Sequence, residues 1–251
     1  MSMAKYRSFL FADAVVEGGA ILLDRRESHH LIRVFRARVG DPVEVLDGAG
    51  TRYYGTILEA DAKAARVEVD TVESEAKPNG DVVLLQSIPK GKAMDLILRT
   101  ATEIGVSSIQ PVFTEHGDVL MKGDRLASKL EKWRLTMIEA CKQCGLAYLP
   151  KLKTPLELDA YLQSLPEAGQ ALHLVASLQS DAQRLTDCLN REATSVTLAV
   201  GPEGDFSIRE YRAMAASGFL PVRLGANVLR AETAAAYFLS VVDQQYRSHS
   251  G

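Results

Sequence analysis

From residue 82 onward, short apolar runs of strand length alternate with segments whose apolar residues recur at helical spacing. Residues 82–88 read as a strand, Met94, Ile97, Ala101 and Ile104 repeat along one helix face, Gly105 stops that helix, and residues 109–113 form the next strand. A long helix is expected over about 124–144. Strands at 171–176, 196–200 and 219–224 follow, separated by helices near 181–189 and 208–216, with a terminal helix over about 231–246. Strands joined by helical crossovers run parallel in one sheet covered by helices, which leaves few topologies open.

The preceding stretch obeys a different rule. Between Tyr6 and Glu73 the apolar runs are short and β-type, at 9–11, 20–23, 31–35, 43–46, 53–58 and 66–72, with turns at Gly40-Asp41 and Asp47-Gly48. This predicts a small β-barrel. The polar run at 73–81 carries Pro78 and Gly80 and reads as a boundary, giving expected domains at 1–75 and 80–251.

Composition narrows the function classes. The 251 residues are 47% apolar and 24% charged, enough to bury a full core. No run of eighteen apolar residues occurs and the first residues lack the apolar stretch of a signal peptide, so no membrane is expected and the cytoplasm is the expected compartment. Cys141, Cys144 and Cys188 have no second cysteine or histidine pair nearby to complete a zinc site, so no metal is expected. A net charge of −3 argues against a strongly nucleic-acid-binding surface overall. The local balance differs, because Arg25, Arg26, His29, His30, Arg33, Arg36 and Arg38 fall within one short stretch.

Two loops mark the expected site. The strand ending at Val200 empties into Gly201-Pro202-Glu203-Gly204, and the strand ending at Leu224 into Gly225-Ala226-Asn227-Val228-Leu229-Arg230. Ligands of open parallel sheets bind beyond the carboxyl ends of strands, so neighbouring loops of this kind describe a pocket. Ser207 and Glu210 form a capping box that starts the next helix and leaves loop N–H groups free for a ligand. Taken alone, Gly201-Pro202-Glu203-Gly204 is equally an ordinary tight turn. No G-x-G-x-x-G opens a helix and Pro89-Lys90-Gly91-Lys92-Ala93 is not a phosphate loop, which excludes the usual nucleotide motifs.

Five segments in order carry a resemblance: His29-His30-Leu31-Ile32-Arg33-Val34-Phe35-Arg36, Thr102-Glu103-Ile104-Gly105-Val106, Glu139-Ala140 with Gln143-Cys144-Gly145, Val200-Gly201-Pro202-Glu203-Gly204, and Leu224-Gly225 with Arg230-Ala231-Glu232-Thr233-Ala234. Together they resemble the RsmE-type 16S rRNA uracil-N3 methyltransferases over nearly the whole chain. The resemblance implies a SPOUT-type α/β domain with a C-terminal trefoil knot, preceded by a PUA-like barrel. It further implies bound S-adenosylmethionine, a homodimer, and 16S rRNA of the small ribosomal subunit as partner.

Carried onto this chain, the resemblance assigns the cofactor to Leu174, Val175, Gly201, Glu203, Gly204, Leu224, Gly225, Val228, Leu229 and Arg230. Methylation of uracil N3 needs loss of its proton and stabilisation of the anion. Arg230 is the expected stabiliser, since a guanidinium cannot accept a proton. Glu203 and Glu232 are the nearby carboxylates, each equally readable as structural, and the proton acceptor stays unassigned. Arg7, His30, Arg33, Arg36, Lys90 and Lys92 are the expected RNA contacts. In an extended strand Arg33 and Arg36 would face opposite sides.

The chain departs from the family pattern at Asp205, where a second glycine is usual, at Leu146 in place of an arginine, and at Thr114-Glu115-His116-Gly117, a usually more basic stretch. These departures touch substrate identity more than enzyme class. The alternatives are therefore a SPOUT methyltransferase acting on another RNA position or on tRNA, and a non-catalytic RNA-binding or assembly protein of the same fold.

Overall fold

The computed structural model describes residues 5–117, 124–166, 171–189 and 193–246. These divide into two units: residues up to Lys77 together with Ile138–Leu149, and Pro78–Met137 together with the chain from Pro150 onward. The sequence reading placed 138–149 with the second domain; the structure gives it to the first.

The first unit contains β1 (Tyr6–Phe9), β2 (Val15–Glu17), β3 (Ala20–Leu22), α1 (Arg25–His29), β4 (Pro42–Leu46), β5 (Thr51–Glu59) and β6 (Arg66–Ser74). The strands form one sheet in the order β1-β4-β5-β6-β3-β2, parallel between β1 and β4 and otherwise antiparallel. In its hydrogen bonding the expected barrel is thus an open sheet among the described residues. Residues 31–35, expected as a strand, are helical: α1 passes directly into a π-helical turn over His30–Val34. Asp24 caps α1 by accepting the Glu27 N–H. Leu31 from the turn is buried in the same core as Ile21, Val43, Val45, Ile57 and Val67. That tertiary burial overrides the β-type look of the Leu-Ile-Arg-Val-Phe run.

An ion-pair network completes this unit. The ammonium of Lys142 lies 2.8 Å from Glu27 Oε1 and 3.0 Å from Glu139 Oε1, and donates to His30 Nδ1 at 3.3 Å. Glu27 also accepts from the Ser8 hydroxyl at 2.6 Å and the Phe9 N–H at 2.9 Å. Arg7 donates to the carbonyls of Lys142 and Gln143, and Arg52 to that of Gly145, while Glu44 bridges both guanidinium groups. Two cations therefore face the carboxyl end of a helix, where the backbone dipole favours positive charge.

The second unit adds β7 (Asp81–Ser87), α2 (Ala93–Ile104), β8 (Ser108–Phe113), α3 (Asp124–Cys144), β9 (Lys151–Leu152), β10 (Leu156–Glu157), α4 (Leu158–Gln163), β11 (Ala171–Ala176), β12 (Gln183–Arg184), α5 (Leu185–Cys188), β13 (Ser195–Val200), α6 (Ile208–Ala216), β14 (Phe219–Arg223) and α7 (Ala231–Tyr246). Only the last turns of α3 belong to the first unit. The sheet runs β10-β8-β7-β13-β11-β14-β12 with β9 beside β8, and every described pairing in it is parallel. β13 lies between β7 and β11 and is buried over Val196–Val200, which is why it reads as an apolar run broken only by Thr197. Gly105 ends α2 with φ 92° and returns its N–H to Ala101 and Thr102.

Helix α7 packs against α2, β7 and β13, with Phe238 and Val242 fully buried. The apolar stripe of this helix therefore serves the core, and of its large residues Tyr237 stays 46% exposed.

None of the three cysteines is in a disulfide. Cys141 is buried, and desolvation pushes its thiol up to about 12, so it remains a protonated, unreactive thiol at pH 8. Cys144 is exposed and Cys188 half-buried. Titration of the native protein with a thiol reagent at pH 8 is expected to leave one cysteine unreacted, and denaturant is expected to release it. Reaction of all three at one rate in the native state contradicts this assignment.

Candidate active site

At the carboxyl ends of β11, β13 and β14, three chain segments enclose a cavity of about 260 Å³. Ala176, Ser177 and Leu178 supply one wall, Gly201 to Glu203 with Asp205 a second, and Arg223 to Gly225 with Asn227 to Ala231 a third. All three leave parallel strands in the same direction, so the sheet fixes their spacing.

Of the residues nominated from sequence, Gly201, Glu203, Leu224, Gly225, Val228, Leu229 and Arg230 stand on these walls. Leu174 and Val175 do not; both are buried within β11, and the wall begins at Ala176, the last residue of that strand. Gly204 faces away toward His116: a Cβ built on it would lie 3.0 Å from the His116 Cβ. Glu232 sits half-buried in the first turn of α7 and is absent from the lining. Ser177, Leu178, Asn227 and Asp205 join the wall without having been nominated. For Asp205 a signal existed, since the position asks for glycine and the chain has a carboxylate.

The loop after β13 is held from several directions. Glu203 Oε2 accepts the Lys90 N–H at 3.3 Å, tying the loop to the segment between β7 and α2. The Asp205 carbonyl is 3.0 Å from His116 Nδ1, and a carbonyl can only accept, so that nitrogen carries the proton. Arg209 of α6 donates to Glu115 at 2.7 Å and to Asp159 at 2.8 Å. Its hydrogen bond holds the exposed Glu115 carboxyl below the usual carboxylate range. The predicted capping box is present, with Ser207 accepting from the Glu210 N–H and Glu210 accepting from the Ser207 N–H.

Residues 75–243 match the family described as an RNA methyltransferase domain, and residues 23–70 one described as an RNA methyltransferase PUA domain. A ribosomal RNA small subunit methyltransferase E from Synechocystis is 30% identical over 95% of this chain and 77% of its own length. One from Aquifex aeolicus is 30% identical over 90% and 94% respectively. The chain belongs to the methyltransferase E family. Among solved structures, a Legionella pneumophila methyltransferase in complex with S-adenosylmethionine superposes with a TM-score of 0.88 at 29% identity, covering 97% of this chain and 98% of that one. The methyltransferase E of Neisseria gonorrhoeae, bound to S-adenosylmethionine, gives 0.85 at 26% identity, covering 96% and 98%.

In this member of the methyltransferase E family the nominated RNA contacts divide. Arg33 and Arg36 are exposed and form no ion pair among the described residues. Arg33 belongs to a helical turn and Arg36 lies two residues beyond its end, so the alternation of a strand does not separate them. Arg36 has φ 56°, a left-handed conformation that ends the turn. His30 is half-buried, packs with its ring tilted against Phe35 at 4.5 Å between centroids, and accepts from Lys142. Arg7 is engaged with Glu44 and the carboxyl end of α3. Lys90 and Lys92 are exposed, in the second unit.

Charge reversal at Arg33 and Arg36 is expected to weaken binding to small-subunit rRNA and to lower the slope of log affinity against log salt by roughly 1 for each phosphate that the side chains no longer neutralise. Filter binding across a salt series measures both. An unchanged slope removes these residues from the RNA interface.

Proposed function

We propose that this protein transfers the methyl group of S-adenosylmethionine to N3 of a uridine in the 16S rRNA of the small ribosomal subunit. The observation that carries this reading is the cavity built from three strand-end loops in a chain of the methyltransferase E family. Its walls suit such a cofactor. Leu178, Val200, Val228 and Leu229 offer apolar surface to an adenine, the glycine-bearing loops bring main-chain groups close, and Glu203 and Asp205 offer negative charge to a cation.

When bound, the cofactor supplies a methyl group activated by a sulfonium. The remaining work falls to the chain. Arg230 is exposed on the cavity wall and permanently charged, so it orients the uracil and offsets the negative charge that grows as N3 loses its proton. Glu203 lies on the wall and Glu232 does not, so Glu203 is the better-placed acceptor for that proton. The three walls would confine cofactor and base to one cavity, and methyl transfer requires that they meet there in line and at close range.

Two finer features belong to the same reading. The chain leaves β14, lines the cavity over 224–230, and resumes as α7 packed on α2, β7 and β13. We infer that this stretch threads a neighbouring loop as the trefoil knot. We also infer a homodimer, with exposed Tyr237 among its candidate contacts. Sedimentation as a monomer at micromolar concentration counts against the dimer.

The test is transfer of labelled methyl to small ribosomal subunits that lack the modification, followed by digestion to nucleosides. Label in 3-methyluridine supports the proposal. Label in another nucleoside moves the substrate elsewhere, and no label despite cofactor binding removes the rRNA assignment.

A further inference from the structure

We propose that Asp205 reads the charge of the cofactor, favouring S-adenosylmethionine over its product S-adenosylhomocysteine. This rests on the cofactor reading above. The amino-acid end of either molecule is a zwitterion, so the two differ in net charge by the sulfonium alone. A carboxylate on the cavity wall separates them on that basis.

The position is built for a carboxylate at some conformational cost. Asp205 has φ 62°, a left-handed backbone that glycine adopts freely and other residues adopt rarely. Strain of this kind persists where the surroundings enforce it, and it gathers at functional sites. Here the enforcement is visible. Asp205 Oδ1 accepts the Phe206 N–H at 2.8 Å and the Tyr211 hydroxyl at 2.8 Å. The single phenol proton has a second acceptor at 3.2 Å, the carbonyl of Ala176, so Tyr211 links the β11 and β13 walls of the cavity. Burial, reinforced by the bond to Asp205, pushes the Tyr211 phenol above its ordinary pKa, which keeps the hydroxyl a donor.

Both short bonds fall on Oδ1, and Oδ2 has no hydrogen-bond partner among the described residues. The carboxylate is therefore oriented through one oxygen, the other keeps its accepting capacity, and the residue stands on the cavity wall. Arg223 and Arg230 also line the cavity and repel a cation, so attraction falls to the two carboxylates of the wall, of which Asp205 is half-buried and Glu203 exposed. A half-buried carboxylate is less screened and acts more strongly at the same distance.

The test is calorimetric binding of S-adenosylmethionine and S-adenosylhomocysteine to the full chain and to two variants. Asp205→Asn keeps the size and an acceptor at Oδ1, and asparagine tolerates the left-handed backbone. Asp205→Gly removes the carboxylate and relieves the backbone, which guards against a variant that fails to fold. Both are expected to lose about tenfold in affinity for S-adenosylmethionine and less than about twofold for S-adenosylhomocysteine, the scale of one charge-assisted contact. Equal loss for both ligands overturns the inference, because it assigns Asp205 to shaping the loop. No loss for either overturns it as well. In both of those cases the unaltered protein still binds, so the cofactor reading stands; an unaltered protein that binds neither ligand overturns both.

Discussion

Arg230→Ala is expected to lower the rate of methyl transfer to rRNA by about 10²–10³-fold, the range found when one preorganised donor to a developing anion is removed. The side chain stands on the wall of the strand-end cavity, at the last position before α7 begins. Its backbone carbonyl accepts the Ala234 N–H at 2.8 Å, so the first turn of the helix fixes where the residue sits. Alanine keeps that helical start and removes only the guanidinium. Single-turnover transfer with saturating cofactor isolates the chemical step, and cofactor affinity measured in parallel reports the binding share. A variant with an unchanged single-turnover rate would falsify the assignment of Arg230 to the reacting base. Lysine at this position restores charge without the planar fork, so Arg230→Lys should recover part of the rate if charge dominates and little if orientation does.

Glu27→Ala is expected to destabilise the first unit by about 3–5 kcal/mol, the cost of leaving one member of a buried ion pair without its partner. Glu27 is 1% exposed and Lys142 5%, so neither charge can turn to water for compensation. The substitution also strips the Ser8 hydroxyl and the Phe9 N–H of their acceptor. Glu139 remains within reach of the ammonium but is half-exposed, and cannot replace the buried carboxylate. Denaturant unfolding followed by a probe confined to this unit should show a lowered midpoint. A loss below about 1 kcal/mol would mean that the pair behaves as a surface contact. Glu27→Gln, which keeps the acceptor and removes the charge, separates the hydrogen bonds from the ion pair.

The sheet of the second unit was legible because its strands are buried on both faces and its helices on one. Val196 to Val200 and the run Met94, Ile97, Ala101, Ile104 each carry the period of the element they form. The turn at residues 30–34 was not. Leu-Ile-Arg-Val-Phe has strand-like composition, and what makes it helical is the Asp24 cap behind it and the core that receives Leu31. The short elements β9, β10, α4 and β12 were also missed, since runs of two to six residues carry too little periodicity to register.

At the site, the loops announced themselves by glycine, and most residues nominated from them line the cavity. Leu174 and Val175 show the limit of that method. Sequence marks where a strand is, yet only the register shows that the chain reaches the cavity one residue later. Arg7 shows another limit, because the sequence does not reveal that its partners lie far along the chain, at Glu44 and the end of α3. Asp205 lay between these cases. The exception to a glycine pattern was visible, while its hydrogen bonds to Phe206 and Tyr211 were not.

The partnership of Glu27 with Lys142 joins residues 115 positions apart in the chain. During synthesis the polypeptide emerges in order, so the β-rich part is exposed long before the helix end bearing its counter-charge. Until then the carboxylate has no ammonium, and the helix-capping arginines Arg7 and Arg52 have no helix to cap. The unit that comes first in the sequence is thus completed only after a large part of the α/β half has been made, and a fragment cut at Lys77 is a half-finished domain.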